Sequence, residues 1–536
     1  MNIRFNGTLH SNDNIIQKIL DFNGLSRQWL EAGTNELLDG SLMRNFEKGK
    51  QLLEKHKFNR VVILVDNDAD GLTSFATIYQ WLKITYPNME LSYVIGEGKV
   101  HGIIEEILPP VENYDLLIIP DASSSEKDKH EALAKKSIDI LILDHHEISE
   151  LENDFAVIIN PHHPDCPYPN KNLSGVGVVY KFIEAIDKQK NIDNHTQFLD
   201  LVATGLVADV MQMSLENKAL INLGLKNIVN PYISAYLKAD GRIKGKAFTP
   251  TIIGFYLAPQ INALIRMGSK EDKLELCQAL IGEINAEIVV AKIISIKGKQ
   301  DRSKEPIVTR IVLNMQKMGR DKNKILIAET PINAPKSLTG LIAGQLASLY
   351  QKPTLLGKVD DNNNFVGSLR SLNKSSVENL KSFCEDSGLF NWVAGHQSAA
   401  GYSLPVENIE KFIEYAEANL PPFEQYYSAW KIDGDRVAVI EQLVKLDAHY
   451  GPGFEPVLLY DEVYCTEQNT SLIGANANTL RILTDDLTYI KFRHKNGLPN
   501  LPTVLGVLGS PNENEFNNMI SYQIIVSDYV EKELEL

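Results

Sequence analysis

Acidic side chains follow three runs of aliphatic residues, and each run predicts a fully buried strand. The runs at 61–65, 116–120 and 140–143 are followed by aspartates, and the third also by two histidines. A further aspartate lies in the apolar stretch at 199–211, which predicts a buried helix. Ligands gather at the carboxyl edge of parallel sheets, so we expect these groups to lie close together. They are Asp66, Asp68, Asp121, Asp144, His145, His146 and Asp209.

This set of residues predicts a metal site. Burying several carboxylates without cations would cost several kcal/mol each. Carboxylates with some imidazole suit Mg²⁺ or Mn²⁺, and the imidazole favours Mn²⁺, whereas no cysteine has the spacing of a zinc ligand. A single aspartate often caps a helix, and a histidine pair alone is weak evidence of function. Four acidic ends close together in the sequence favour a metal-dependent hydrolase.

The order of the motifs resembles the DHH phosphoesterase superfamily, and within it the RecJ-type single-strand-specific exonucleases. The four motifs are Asp66–Gly71, Pro120–Ser124, Asp144–His146 and Ala208–Val210. Further similarity lies at 173–178 and 258–268. The segments at 340–347, 367–371 and 395–401 are similar to the associated DHHA1 domain.

The resemblance implies an exonuclease that degrades single-stranded DNA from 5′ to 3′ and releases 5′-mononucleotides. Two Mn²⁺ or Mg²⁺ ions would activate a water for in-line attack on the phosphodiester. His146 would face the scissile phosphate, and Asp144 would orient a histidine. Asp70 is either a further ligand or the cap of the helix at Gly71, and we prefer the cap. The implied metal ligands are Asp66, Asp68, Asp121, His145 and Asp209.

The resemblance also implies contacts with the DNA backbone. The implied residues are Lys99, Arg266, Ser368, Arg370, Ser371, Gly395 and His396. Ordinary structural roles are the alternatives to DNA binding. They are a strand turn at 367–371, a tight helix start at 395–401 and a salt bridge for Arg266. Two positions depart from the family: only Lys99 and His101 are basic where an arginine usually grips a 5′ phosphate, and Gln260 replaces an arginine before Ile-Asn-Ala. The selection of 5′ ends therefore stays open.

Composition limits the class of protein. The chain has 536 residues, 44% hydrophobic and 23% charged, which is ordinary for a globular protein of three or four domains. It shows no run of 18 apolar residues and no signal peptide, and its four scattered cysteines form no CxxC motif, so we expect a cytoplasmic protein with no membrane association. The net charge of −16 argues against a nucleic-acid substrate, although bound cations would offset part of it.

We expect an α/β protein with five regions. These are an N-terminal, mostly helical cap (1–55), a DHH catalytic domain with a parallel sheet of about five strands (56–230), a helical connecting region (231–320), a DHHA1 domain (321–420) and a small OB-like β-barrel (427–536). Pro306 is expected to bend or end a long connecting helix. In the barrel, Phe492, Arg493 and Lys495 could bind bases and phosphates, or Phe492 could belong to the core.

Two other functions stay open. One is a DHH phosphodiesterase for short oligonucleotides or cyclic dinucleotides, which the long helical region and the C-terminal domain disfavour. The other is an inactive DHH scaffold that binds single strands, which the complete set of ligand positions disfavours. Single-stranded DNA is the expected substrate, a single-strand-binding protein or a helicase is a candidate partner, and a monomer is expected.

Overall fold

The computed structural model describes residues 2–97, 101–149, 153–372, 377, 379–421, 426–474, 477–494, 497–516 and 519–532. The chain forms two compact units, Met1–Ile293 with Tyr426–Leu536, and Ile294–Gln425. No helix in these described ranges is long and apolar enough to cross a membrane.

The N-terminal region, expected to be mostly helical, begins with a strand. This strand pairs in parallel with residues 426–433, more than four hundred positions later. This strand was not predicted, and its partner is distant in the sequence. The elements are β1 (Asn2–His10), α1 (Ile15–Phe22), α2 (Arg27–Leu30) and α3 (Phe46–Lys55).

The predicted five-stranded parallel sheet is present in the first unit. Its order is β3-β2-β4-β5-β6, and every neighbouring pair is parallel. The central strands are buried on both faces, which explains why their sequences are continuous aliphatic runs. The strands are β2 (Arg60–Val65), β3 (Glu90–Ile95), β4 (Leu116–Pro120), β5 (Asp139–Leu143) and β6 (Val157–Ile159).

Helices cover this sheet and continue beyond it. Those between β2 and residue 208 are α4 (Ala69–Thr85), α5 (Lys127–Ala134), α6 (Gly175–Lys190) and α7 (Leu199–Ala208). Those that follow are α8 (Leu215–Lys226), α9 (Pro231–Ala239), α10 (Pro250–Ile252), α11 (Ala258–Met267), α12 (Lys270–Leu280) and α13 (Ala286–Met318). Pro306 lies inside α13 and does not end it. Beyond the proline, Val308, Ile311 and Met315 pack into a hydrophobic cluster of the second unit, which offsets the lost backbone hydrogen bond.

The second unit is built on a mixed five-stranded sheet of order β10-β11-β9-β8-β7. Alternate residues of its strands enter two hydrophobic clusters, for example Ile327 in one and Leu326 in the other, so both faces are covered. The strands are β7 (Leu326–Glu329), β8 (Thr354–Val359), β9 (Asn364–Arg370), β10 (Trp392–His396) and β11 (Ala399–Pro405). The helices are α14 (Thr339–Tyr350), α15 (Leu380–Asp386) and α16 (Ile409–Asn419).

The C-terminal region forms an eight-stranded mixed sheet that includes β1. The order is β1-β12-β13-β17-β18-β16-β15-β14, so the expected OB-like barrel is not confirmed. The elements are β12 (Tyr426–Asp433), α17 (Arg436–Val444), β13 (Leu459–Cys465), β14 (Thr470–Ile473), β15 (Thr479–Leu483), β16 (Thr488–Lys491), β17 (Thr503–Phe516) and β18 (Met519–Lys532). Phe492 is 59% exposed, so its assignment to the core is wrong. The chain leaves β16 at this residue, and Arg493 has a φ of 54°. Lys495 lies outside the described residues.

The segment after α17 packs on α2 and α8 of the same unit. The buried Lys218 of α8 places its Nζ 3.0 Å from Nδ1 of His449 and 4.8 Å from the ring centre of Trp29. The Trp29 indole donates to the Met213 carbonyl at 2.7 Å, and its ring lies edge-on to Phe454. Among the described residues, no carboxylate lies within ion-pair distance of this buried amine.

Candidate metal centre

Three adjacent strands of the parallel sheet deliver acidic residues to one edge. Asp66 follows β2, Asp121 follows β4 and Asp144 follows β5, and all three side chains are buried. The backbone turns sharply after β4, where Asp121 and Ser123 have φ values of 68° and 78°. Such values are uncommon for residues other than glycine and are often found at functional sites.

One group of ligand atoms surrounds His145. Its Nε2 lies 3.2 Å from Asp121 Oδ1, 3.4 Å from Asp209 Oδ2 and 4.0 Å from Asp70 Oδ2. Asp209 comes from the C-terminal end of α7, as the apolar pattern predicts. We call this group, which His146 completes, the His145 cluster (Asp70, Asp121, His145, His146 and Asp209).

A second group, the Asp66 cluster, consists of Asp66, Asp68 and His101, whose ligand atoms lie within 4.8 Å of one another. His101 Nδ1 lies 3.0 Å from Asp66 Oδ1 and 2.8 Å from Asp66 Oδ2. His101 was not among the metal ligands predicted from the sequence. His101 follows β3, the strand beside β2, and this position could have indicated a place near Asp66. No spacing rule, however, fixes where the loop after β3 places its side chains.

Asp144 does not lie in either cluster and instead holds the two histidines that follow it. It is completely buried and accepts hydrogen bonds from the backbone amides of Ser124 (3.0 Å), His145 (2.7 Å) and His146 (3.2 Å). Its Oδ1 also lies 2.8 Å from His146 Nδ1. Burial alone would lower the pKa of His146, but this hydrogen bond and the Asp144 charge raise it to about 9.

The side chains of the clusters fit divalent cations. Burial, reinforced by neighbouring carboxylates, raises the pKa of Asp121 well above its ordinary value and that of Asp70 to about 6. Burial also lowers the pKa of His145 to about 4, which favours the neutral imidazole that metals bind. The buried oxygens Asp121 Oδ1 and Asp66 Oδ2 have no hydrogen-bond partner. Buried carboxylate oxygens that accept no hydrogen bond are suitable ligands for Mg²⁺ or Mn²⁺.

The preferred interpretation of Asp70 as the cap of α4 is wrong. Asp68 occupies the cap position and accepts from the amides of Asp70 (3.1 Å) and Gly71 (3.0 Å). The Asp70 carboxylate points to the start of α6, where it accepts from Ser174 Oγ (3.0 Å) and the Gly175 amide (2.6 Å). A residue inside the first turn cannot reach its own helix's first amides, whereas the residue before that turn can.

Comparison with known proteins identifies the family. The sequence profile described as "DHH family, N-terminal domain" matches residues 60–206. The chain is 31% identical to the YorK protein of Bacillus subtilis (strain 168) over 538 residues, which cover 92% of each chain. YorK is named as an SPbeta prophage-derived single-strand DNA-specific exonuclease. The chain belongs to the RecJ-like DHH family.

The chain is also similar to a second named protein and to a solved structure. The single-stranded-DNA-specific exonuclease RecJ of Bacillus subtilis (strain 168) is 24% identical over 500 residues, which cover 89% of this chain and 62% of that protein. The crystal structure of RecJ from Thermus thermophilus in complex with Mn²⁺ superposes with a TM-score of 0.74 at 19% identity, covering 92% of this chain and 72% of the other. This RecJ-like chain therefore shares the fold of that structure.

The predicted DNA-binding residues of the first unit have different surroundings. Arg266 lies in the last turn of α11, half-buried, and the described residues offer it no ion-pair partner within 4 Å, so the salt-bridge alternative is not supported. Burial lowers its pKa, while the charge of Asp68 acts in the opposite direction. Gln260 is buried and donates to Tyr236 Oη at 2.8 Å, which gives it a structural role in this RecJ-like chain. Lys99 lies outside the described residues.

The predicted DNA-binding residues of the second unit lie on adjacent strands. Arg370 at the end of β9 and His396 at the end of β10 both pair with Ala399 of β11, so their side chains leave the same face of the sheet. Ser368 lies two positions earlier on β9, and the Ser371 amide donates to the Ser398 carbonyl at 2.9 Å. The segment 395–401 is a hairpin, not the start of a helix, and Gly395 has a φ of 132°.

Gly340 allows Arg370 to lie against the first turn of α14. A Cβ at Gly340 would lie 2.5 Å from Arg370 Nη2 and 3.5 Å from Ser368 Oγ. The guanidinium group therefore occupies the space that the side chain of any residue other than glycine at position 340 would fill. A helix start beside an arginine and a serine is suited to an anion such as phosphate.

Proposed function

We propose that the protein is a metal-dependent exonuclease that hydrolyses phosphodiester bonds of single-stranded DNA. The observation that carries this proposal is the pair of clusters at one sheet edge, where buried carboxylates and imidazoles converge. The relatives named as single-strand-specific exonucleases support the choice of substrate.

The clusters would hold two Mn²⁺ or Mg²⁺ ions. The proposed ligands are Asp66, Asp68, Asp121, His145 and Asp209. When bound, the ions supply the charge that activates water and stabilises the leaving oxygen. Asp70 lies in the His145 cluster and also anchors the start of α6, so we propose that it fixes the position of the ligands around it.

His146 is the proposed group that faces the scissile phosphate. Its Nδ1 is held by Asp144, and Asp144 is itself fixed by three backbone amides. The ring therefore has a fixed orientation, and its Nε2, on the side of the ring away from Asp144, is the atom proposed to donate to a phosphate oxygen. A donor held in place in this way stabilises negative charge as it develops, at no cost of reorganisation.

The second unit is proposed to hold the DNA backbone. Arg370 with Ser368 and Ser371 would bind one phosphate at the start of α14, and the hairpin at Gly395 and His396 would bring backbone amides close to another. We propose 5′ to 3′ polarity and 5′-mononucleotide products from the RecJ resemblance. Arg266 is proposed to contact the DNA beside Asp68, since the charge of Asp68 acts on the pKa of Arg266.

The experiment is degradation of single-stranded and duplex oligonucleotides, labelled at either end, with Mn²⁺ or Mg²⁺. We expect 5′-mononucleotides from single strands only, and loss of this activity in Asp121→Ala. Asp128→Ala, which changes an exposed aspartate of α5, is the matched control and should behave as wild type. Cleavage of di- to tetranucleotides alone would instead indicate an oligonucleotide phosphodiesterase, and binding without cleavage would indicate a scaffold.

A further inference from the structure

His101 joins the Asp66 cluster through an unusual contact. Its Nδ1 lies within 3.0 Å of both carboxylate oxygens of Asp66, but only Oδ1 makes a hydrogen bond. Asp66 is 3% exposed, and its Oδ2 is buried without a hydrogen-bond partner. The imidazole nitrogen and this buried oxygen therefore lie close together beside Asp68.

The position of His101 relative to the rest of the site supports a role in metal binding. Its ring centre lies 6.4 Å from that of His146, so both imidazoles border the same part of the site. The side chain is 45% exposed, so it lies between the buried Asp66 and solvent. The third member of the Asp66 cluster, Asp68, caps α4 with its Oδ1. Its Oδ2 is therefore the oxygen that could bind a cation.

We infer that His101 supplies a nitrogen ligand to the cation held by Asp66 and Asp68, an inference that rests on the proposed function. With His145 in the other cluster, each of the two ions would then have one imidazole ligand. Mg²⁺ strongly prefers oxygen ligands, whereas Mn²⁺ accepts imidazole as well. His101 would therefore make this ion site select Mn²⁺ over Mg²⁺.

The test measures metal binding directly, without DNA. Mn²⁺ binding to the full chain is followed by the electron paramagnetic resonance signal of free Mn²⁺, and Mg²⁺ binding by competition, for wild type and His101→Asn. Electron spin-echo measurements of bound Mn²⁺ report the number of histidine nitrogens coupled to it. The matched control is His10→Asn, because His10 is also a half-exposed histidine, with its Nδ1 3.3 Å from Asp433 Oδ2 in a different sheet.

We expect wild type and His10→Asn to bind two Mn²⁺ ions alike. In His101→Asn, one Mn²⁺ site should weaken at least tenfold, Mg²⁺ binding should change less than threefold, and the nitrogen coupling should decrease. Mn²⁺ affinity within twofold of wild type would overturn the inference. An equal loss of Mn²⁺ and Mg²⁺ would also overturn it, because His101 would then only position Asp66.

The inference and the proposed function can fail separately. If His101→Asn loses Mn²⁺ selectively but wild type does not degrade single strands, the metal ligand stands and the proposed exonuclease is wrong. If wild type degrades single strands and His101→Asn binds Mn²⁺ normally, the exonuclease stands and the ligand is wrong. A wild-type chain that binds no Mn²⁺ would overturn both.

Discussion

Replacing Gly175 by alanine should disrupt the metal centre from outside its set of ligands. Gly175 is the first residue of α6, and a Cβ at this position would lie 2.3 Å from Asp121 Oδ1 and 2.5 Å from Asp121 Cβ. Carbon atoms pack comfortably at about 3.5 Å, so Asp121 would have to move by about 1 Å. Such a shift separates its Oδ1 from His145, now 3.2 Å away.

The expected effect on activity is large and the effect on stability is moderate. A displacement of about 1 Å at a reacting group can cost about 100-fold in rate. Overpacking of a buried site costs about 1–3 kcal/mol, which a protein with ordinary stability can tolerate. We therefore expect a folded Gly175→Ala protein with weakened Mn²⁺ binding and about 100-fold lower kcat/KM on a single-stranded oligonucleotide.

Thermal unfolding, Mn²⁺ affinity and kcat/KM should be measured on the same preparations. The matched control is Gly344→Ala in the interior of α14, where an added Cβ would meet nothing within 4 Å. This control should keep full activity and gain up to about 1 kcal/mol of stability from the helix propensity of alanine. If Gly175→Ala kept kcat/KM within threefold and Mn²⁺ affinity unchanged, the dependence of the centre on this close contact would be refuted.

Three further predictions concern separate parts of the molecule. Burial lowers the pKa of Lys218 to about 7, below its value of 10.5 in an unfolded chain. Between pH 7 and 10 the unfolded state therefore binds more protons than the folded state, and the free energy of unfolding should rise with pH. Lys218→Met should remove this rise and add up to about 4 kcal/mol at pH 7, measured by urea unfolding; a rise of the same size in both proteins would contradict it. Asp144→Asn should lower kcat about 100-fold while Mn²⁺ affinity and KM change less than threefold, since it releases His146 without removing a ligand; steady-state kinetics and metal titration check this. Arg370→Ala should raise KM for single strands 10- to 100-fold at unchanged Mn²⁺ affinity, as expected for the loss of a charged hydrogen bond, and an unchanged KM would remove this residue from the binding site.

The strands and most of the His145 cluster were predictable because the signal is local. A strand buried on both faces must be a continuous aliphatic run, and the residue after such a run must lie at the sheet edge. The side chains of Asp121, His145 and Asp209 therefore meet, although the sequence separates Asp121 from Asp209 by nearly ninety residues. Burial and strand direction together decided that outcome.

The remaining features depend on geometry that sequence patterns do not encode. Asp68 and Asp70 are two positions apart in one motif, and the exact residue at which α4 begins decides which one caps the helix and which one reaches α6. His101 is placed by a loop, whose path no periodicity fixes. The OB-like barrel was expected from short strands and turns in the C-terminal region alone, whereas the sheet takes a strand from the other end of the chain.

The parallel pairing of β1 with β12 has a consequence for synthesis on the ribosome. Asn2 pairs with Tyr426, so the partner of β1 is translated 424 residues after it. At a translation rate of about 5–20 residues per second, β1 lacks its partner strand for roughly 20–85 s, and its backbone hydrogen-bonding groups stay unpaired with β12 during that time. An unpaired strand edge invites association with other chains during that interval. Nascent chains stalled before residue 426 should therefore aggregate more readily than the finished protein, and cells that make it should depend on chaperones that hold the N-terminus.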